Sequence, residues 1–173
     1  MTDGAVDIYA VLDAQGIRYQ RFDHVPVFTC DEAERAVTGT AAAHTKNLFL
    51  RDKKGHRHWL LVTLCAKAVD LKQVAEQIGA DKLSLGSPER LAKHLGVTPG
   101  AVTVLALGND TAHAVEVVMD EDVWQADAIR AHPLVNSATL VISQPDIRRF
   151  LEHTGHMARV IPVANRTASP PSQ

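Results

Sequence analysis

His44-Thr-Lys-Asn-Leu-Phe-Leu-Arg-Asp-Lys-Lys-Gly-His-Arg-His-Trp-Leu-Leu-Val-Thr63 reads as a β-hairpin, and the rest of the fold is read outward from it. Leu48, Phe49 and Leu50 form a short apolar run, and Trp59 to Val62 form a second. Asp52-Lys53-Lys54-Gly55 between them supplies turn chemistry, with Gly55 able to take the positive φ that closes a short hairpin loop. Lys46 and Asn47 precede the first run, which places a cation beside an amide at the end of a strand. That pair can meet a phosphate or a carbonyl oxygen. The same two residues also fit an ordinary solvated strand end.

At 173 residues the chain has the length of one domain, and 46% hydrophobic with 22% charged residues suits a water-soluble fold. No run approaches the roughly 18 apolar residues of a membrane span. The acidic N-terminus lacks the basic and apolar regions of a signal peptide. Cys30 and Cys65 are too few and too far apart in sequence for a disulfide framework or a zinc motif, which predicts a reduced, cytoplasmic protein. A net charge of −2 does not suggest a protein that grips many phosphates. Lys46, Arg51, Lys53, Lys54 and Arg57 nonetheless fall close together, so a basic hairpin tip could touch a nucleic-acid end.

In chain order, residues 3–15 predict a helix stopped by Gly16, and residues 17–23 a strand. Thr29 with Glu32 matches a capping box opening a helix to about Val37. After the hairpin, Asp70 caps a helix that Gly79 stops, and residues 82–85 read as a short strand. Ser87-Pro88 opens a helix ending at Leu95-Gly96. The apolar run 102–107 and residues 114–119 predict strands, and 120–129 a short acidic helix or turn. His132 to Asn136 is a loop and 138–142 a buried strand. Ser143-Gln-Pro-Asp146 starts the last helix, 159–163 is a final strand, and 165–173 a disordered tail. This pattern predicts a mixed α/β, α+β-like domain over 1–164, with one central, mostly antiparallel sheet and short flanking helices.

No phosphate loop, dinucleotide fingerprint or nucleophile elbow is present. His56 and His58 share a strand face without a third metal ligand in view, so no metal and no cofactor are expected. Cys30 lies in a first helical turn and Cys65 follows an apolar strand, and neither has a base partner in sequence. Three polar segments between apolar strands can converge on one site: Thr45 to Asn47, Thr98 to Thr103, and His132 to Thr139. Ordinary turn chemistry explains them as well.

At these segments the chain resembles the YbaK-type editing superfamily, free-standing relatives of the editing insertion of prolyl-tRNA synthetase. The matching stretches are Val27-Phe28-Thr29 with Glu32-Ala33-Glu34, His44 to Asp52, Leu95 to Gly100, and His132-Pro-Leu-Val-Asn-Ser-Ala-Thr139. Within the superfamily it is most similar to deacylases acting on alanine mischarged on proline tRNA. The resemblance implies hydrolysis of the ester between a small amino acid and the tRNA 3′ end. Cysteine or serine esters of the same tRNA, or a non-catalytic module binding the tRNA end, are the alternatives. A metallohydrolase built on the scattered histidines is a further one. The resemblance implies that Lys46, Asn47, Gly100 and His132 are the catalytic set, with Phe28, Thr45, Ala101, Asn136 and Thr139 binding substrate. Gly100 matches the start of the family's Gly-x-x-x-Pro motif, which ends here in Val104. Transient contact with prolyl-tRNA synthetase or an elongation factor is implied, and neither DNA nor membrane.

Overall fold

A computed structural model describes residues 6–166. The hairpin is its centre. Strand β2 (Thr45–Arg51) pairs antiparallel with β3 (His58–Leu64), putting Lys46 opposite Thr63 and Leu50 opposite Trp59. Gly55 at φ +71° closes the turn, and Asp52 accepts the His56 and Arg57 N–H groups at 2.8 and 3.0 Å. Upstream lie helix α1 (Ile8–Ala14), strand β1 (Tyr19–Asp23) and helix α2 (Cys30–Ala36). Downstream come α3 (Leu71–Ile78), β4 (Ser84–Leu85), α4 (Pro88–Leu95) and two 3-10 turns, Pro99–Ala101 and Val104–Asn109. The chain continues through β5 (Val115–Asp120), α5 (Glu121–Trp124), β6 (Ala128–Ala131), β7 (Ala138–Ser143), α6 (Gln144–Thr154) and β8 (Ala158–Ile161).

Strand β3 is buried on both faces, and its alternating side chains divide the core. Leu60 and Val62 enter the larger cluster with Phe49, Val117 and Phe150, whereas Trp59 and Leu61 pack with Leu50, Val118 and the α3 residues Val74, Ala75 and Ile78. A strand covered on both sides reads as a continuous apolar run, as Trp59 to Val62 does. The expected mixed α/β class is present and four of the strand pairings are antiparallel. Two are parallel, β3–β5 and β5–β8. The sheet comes in two pieces, β4-β2-β3-β5-β8 and β1-β7-β6. Ala43 bridges them: its N–H donates to Ala128 at 2.8 Å and its carbonyl accepts from Arg130 at 3.1 Å.

Local capping chemistry ran true. Asp70, Ser87 and Ser143 each cap a helix, and Gly79, Gly96 and Gly155 end the same helices in the left-handed region. The apolar run 102–107 is not the expected strand. Its core forms the second 3-10 turn, with Val104 to Leu107 almost fully buried and the Thr103 hydroxyl accepting from the Leu105 N–H at 3.2 Å. Burial on every side removes the alternation that tells a strand from a turn. Strand β6 was hidden in the acidic segment before His132. At the end of the chain Asn165 bridges Val69 and the Arg166 N–H donates to Ala68, so these two are tied down; the tail expected over the following residues lies outside those described. Among the described residues no helix is long and apolar enough to cross a membrane.

Candidate active site

The junction of the two sheets opens into a cleft of about 130 Å³, lined among others by Phe28, Lys46, Asn47, Gly100 and His132. Lys46 enters it from the start of β2. Its ammonium donates to the Lys67 carbonyl, and the Lys67 side chain is itself fixed by Asp120 at 2.8 Å, Asp122 at 2.7 Å and the Val163 carbonyl at 2.7 Å. Buried Asp120 also accepts from the Thr63 hydroxyl at 2.6 Å, and Thr63 is the residue paired with Lys46. One ammonium hydrogen is thus committed and two remain. Among the described residues no carboxylate pairs with Lys46, and burial alone pulls its pKa below the ordinary lysine value.

Asn47 follows, and its buried Oδ1 has no hydrogen-bond partner among the described residues. A buried polar atom left unpaired is costly and marks a place where a donor is expected. Across the cleft, His132 Nδ1 lies 2.9 Å from the Ala138 carbonyl, so Nδ1–H donates and Nε2 carries the lone pair. Burial lowers the His132 pKa, against the opposing pull of that hydrogen bond, and keeps the ring neutral. Leu134, two residues on, sits at φ +66°, which strains this loop.

The third wall is the first 3-10 turn. A Cβ on Gly100 would lie 3.0 Å from the Phe28 ring and 3.0 Å from Asn136 Nδ2, so the glycine serves close approach. Asn136 braces this wall, donating to the Val27 carbonyl at 2.9 Å while its own carbonyl accepts from the Val27 N–H at 3.1 Å. Phe28 is 73% exposed, an aromatic face on the rim and no core residue. Sharing Asn47 and His132 with this cleft is a smaller pocket of about 30 Å³, bounded also by Thr45, Arg130 and Thr139. It has room for about two water-sized groups.

A model of the aminoacyl-tRNA editing domain matches residues 24–150, the span that builds every wall just described. The chain belongs to the aminoacyl-tRNA editing domain family. This editing domain is 37% identical over 159 residues to the prolyl-tRNA editing protein ProX of Acetoanaerobium sticklandii, covering 92% of this chain and 97% of that protein. It is 38% identical over 136 residues to prolyl-tRNA synthetase associated domain-containing protein 1 of Danio rerio, covering 78% and 73%. A solved structure named as a candidate trans-editing enzyme for prolyl tRNA synthetase superposes with a TM-score of 0.67, covering 96% of this chain and 99% of that one. At 19% identity that likeness is one of fold.

Of the residues expected at the editing domain's site, Lys46, Asn47, Gly100, His132, Phe28 and Thr45 line the cleft, and Thr139 lines the smaller pocket. Ala101 does not; it is buried in the main core. Asn136 holds the wall from behind. Val104 opens the second 3-10 turn, where Thr103 caps the chain without a proline ring. The basic cluster divides: Lys46 and the tip residues sit at opposite ends of a strand about 20 Å long, and Arg57 is bound by Glu116 at 2.9 Å. His58 is buried at the start of β3, whereas His56 is exposed and lies outside the strand. The His58 ring lies against Phe49 and His94, accepts from Arg90 at 3.1 Å, and burial depresses its pKa to about 4.

Two features escaped the sequence. Arg130 is 8% exposed and reaches Glu34 at 3.3 Å, while His44 Nδ1 meets the same carboxylate at 2.6 Å. Arg130 belongs to the unrecognised β6, and its line to Glu34 crosses 96 residues. Cys30 and Cys65, expected as separate reduced thiols, form a disulfide with their Cα atoms 5.9 Å apart. Hairpin pairing brings Cys65 beside His44, where the Cys65 N–H donates to the His44 carbonyl at 2.9 Å, and α2 delivers Cys30 to the same spot.

Proposed function

We propose that this chain hydrolyses the ester of alanine mischarged on proline tRNA, acting on the aminoacylated 3′ end in the cytoplasm. The observation that carries the proposal is the tethered Lys46 ammonium lining one cleft with Asn47 and His132, beside a smaller pocket of about 30 Å³. The relatives named for prolyl-tRNA editing support the choice of tRNA.

An aminoacyl ester is already activated, so positioning and charge stabilisation suffice. Lys46 keeps two N–H donors for the terminal phosphate or the oxyanion that develops on the ester carbonyl. Asn47, beside Lys46 on the cleft wall, orients the ester and its α-amino group. His132 Nε2 accepts from the ribose hydroxyl or from a water that completes the attack. The exposed Phe28 ring offers a stacking face for the terminal base. Discrimination is steric: the small pocket beside the cleft takes a methyl group more readily than a proline ring. Serine and cysteine side chains are small enough to compete for the same cavity.

The test is deacylation of alanyl-tRNA for proline by the wild type beside Lys46→Ala. Alanine release by the wild type, lowered about a hundredfold or more by the substitution, is the expected result. A Lys46→Ala protein working at the wild-type rate would move the chemistry away from this cleft.

A further inference from the structure

The wall of the cleft beside Lys46 carries donor atoms that ester hydrolysis does not use. Cys30 opens α2, His44 directly precedes β2 and Cys65 directly follows β3. One donor atom from each lies within 4.8 Å of the other two, and all three residues line the cleft. In this structure the two sulfurs are bonded to each other.

We propose that, once the Cys30–Cys65 bond is reduced, the two thiolates and His44 hold one Zn²⁺ whose fourth coordination position opens into the cleft. Two cysteines and a histidine are a donor set that zinc takes when it keeps one position open. The supporting carboxylate is in place: Glu34 holds His44 Nδ1 at 2.6 Å, which fixes the tautomer and leaves Nε2 to ligate. The ligands also stand on fixed backbone. The Cys65 N–H is bonded to the His44 carbonyl, and Thr29 caps the helix that begins at Cys30.

Oxidation state decides occupancy. A small dithiol gives two electrons and two protons to the sulfurs, breaks the S–S bond and leaves as its own cyclic disulfide. Zinc then displaces the two thiol protons to solvent. The oxidised protein has no thiolate to offer. Because the readout is metal binding, it stands apart from the editing reading.

The experiment titrates Zn²⁺ into protein reduced with dithiothreitol and freed of it without air, against a chromophoric chelator, beside the untreated disulfide form. One equivalent bound by the reduced form, at least about a hundredfold tighter than by the disulfide form, is expected. Cys65→Ser and His44→Gln should each abolish that difference, and Glu34→Gln should weaken binding about 10- to 100-fold. Glu34→Gln keeps an amide oxygen for Arg130, and a melting curve beside the titration shows that the variant is folded. Co²⁺ in the reduced wild type should add a thiolate charge-transfer band without any substitution. A reduced protein that takes up no stoichiometric zinc, a Co²⁺ spectrum without that band, or undiminished affinity in Cys65→Ser would overturn the proposal.

Discussion

Lys46 and His132 face the cleft as a cation and a neutral ring, and burial bounds the pH range of both. Burial lowers the Lys46 pKa, so its cation is lost on raising the pH before the ordinary lysine value of 10.5 is reached. Burial lowers the His132 pKa too, so the ring is neutral at pH 7 and takes a proton only below the ordinary 6.5. The profile of kcat/KM against pH, corrected for spontaneous ester loss, should therefore be flat across neutrality. It should fall on the acid side below 6.5 and on the alkaline side below 10.5. His132→Gln should remove the acid limb and cost roughly tenfold, less than the about 10²- to 10⁴-fold of a true general base, because the neutral ring orients the attacking hydroxyl and does not take its proton. That Lys46, Asn47 and His132 converge on one cleft was legible because each sits in a short polar break between apolar runs. Arg130 and His44 were not, since their partner Glu34 comes from a distant helix and no local pattern announces it. Ala101 misled for the opposite reason: it neighbours Gly100 in sequence, but its methyl turns into the core.

The hairpin shows why elements were easier to read than residues. Caps and turns are local chemistry, so the strands around Gly55 and the helices after Asp70, Ser87 and Ser143 could be placed from sequence. The 3-10 turn Val104–Asn109 could not, because its apolar run is enclosed on all sides. The hairpin tip is a scaffold, remote from the site, and two measurements check that. Gly55→Ala forces a Cβ to 2.6 Å from Arg90 Nη2 at φ +71°. It should cost about 1 kcal/mol, a melting point lower by about 2–4 °C, with the folded protein's kcat/KM unchanged. A fall in kcat/KM in proportion would tie the tip to catalysis. His58, neutral in the fold down to about pH 4, adds an acid sensitivity. Its depressed pKa contributes stability that is present above 6.5 and lost as pH falls toward 4, where the unfolded chain takes the proton first. The melting temperature should decline through that window, and His58→Phe should decline less steeply.

Across the whole molecule, two sheet pieces meet at Ala43 and one covalent clamp, Cys30–Cys65, holds the α2 edge of the cleft. α2 buries none of its own side chains, so the clamp carries much of its attachment. Closing a loop across 35 residues restrains the unfolded chain by about 2–4 kcal/mol. Reduction should lower the unfolding free energy by that amount in a denaturant titration, and no change would mean the bond constrains nothing. Spacing alone hid this clamp, since only the assembled hairpin brings position 65 next to α2. With a net charge of −2 and a half-buried Lys46 as the cleft's cation, contact with tRNA should involve few phosphates. The slope of log K against log salt should then be about −1 to −2, and a slope near −5 would require a broad basic face. The proposed selection of the small amino acid rests on the pocket of about 30 Å³ beside this cleft. Its most direct measurement is kcat/KM for the alanyl and prolyl esters of the same proline tRNA. A ratio of at least about a hundred in favour of alanine is predicted, and equal hydrolysis of the two esters would contradict it.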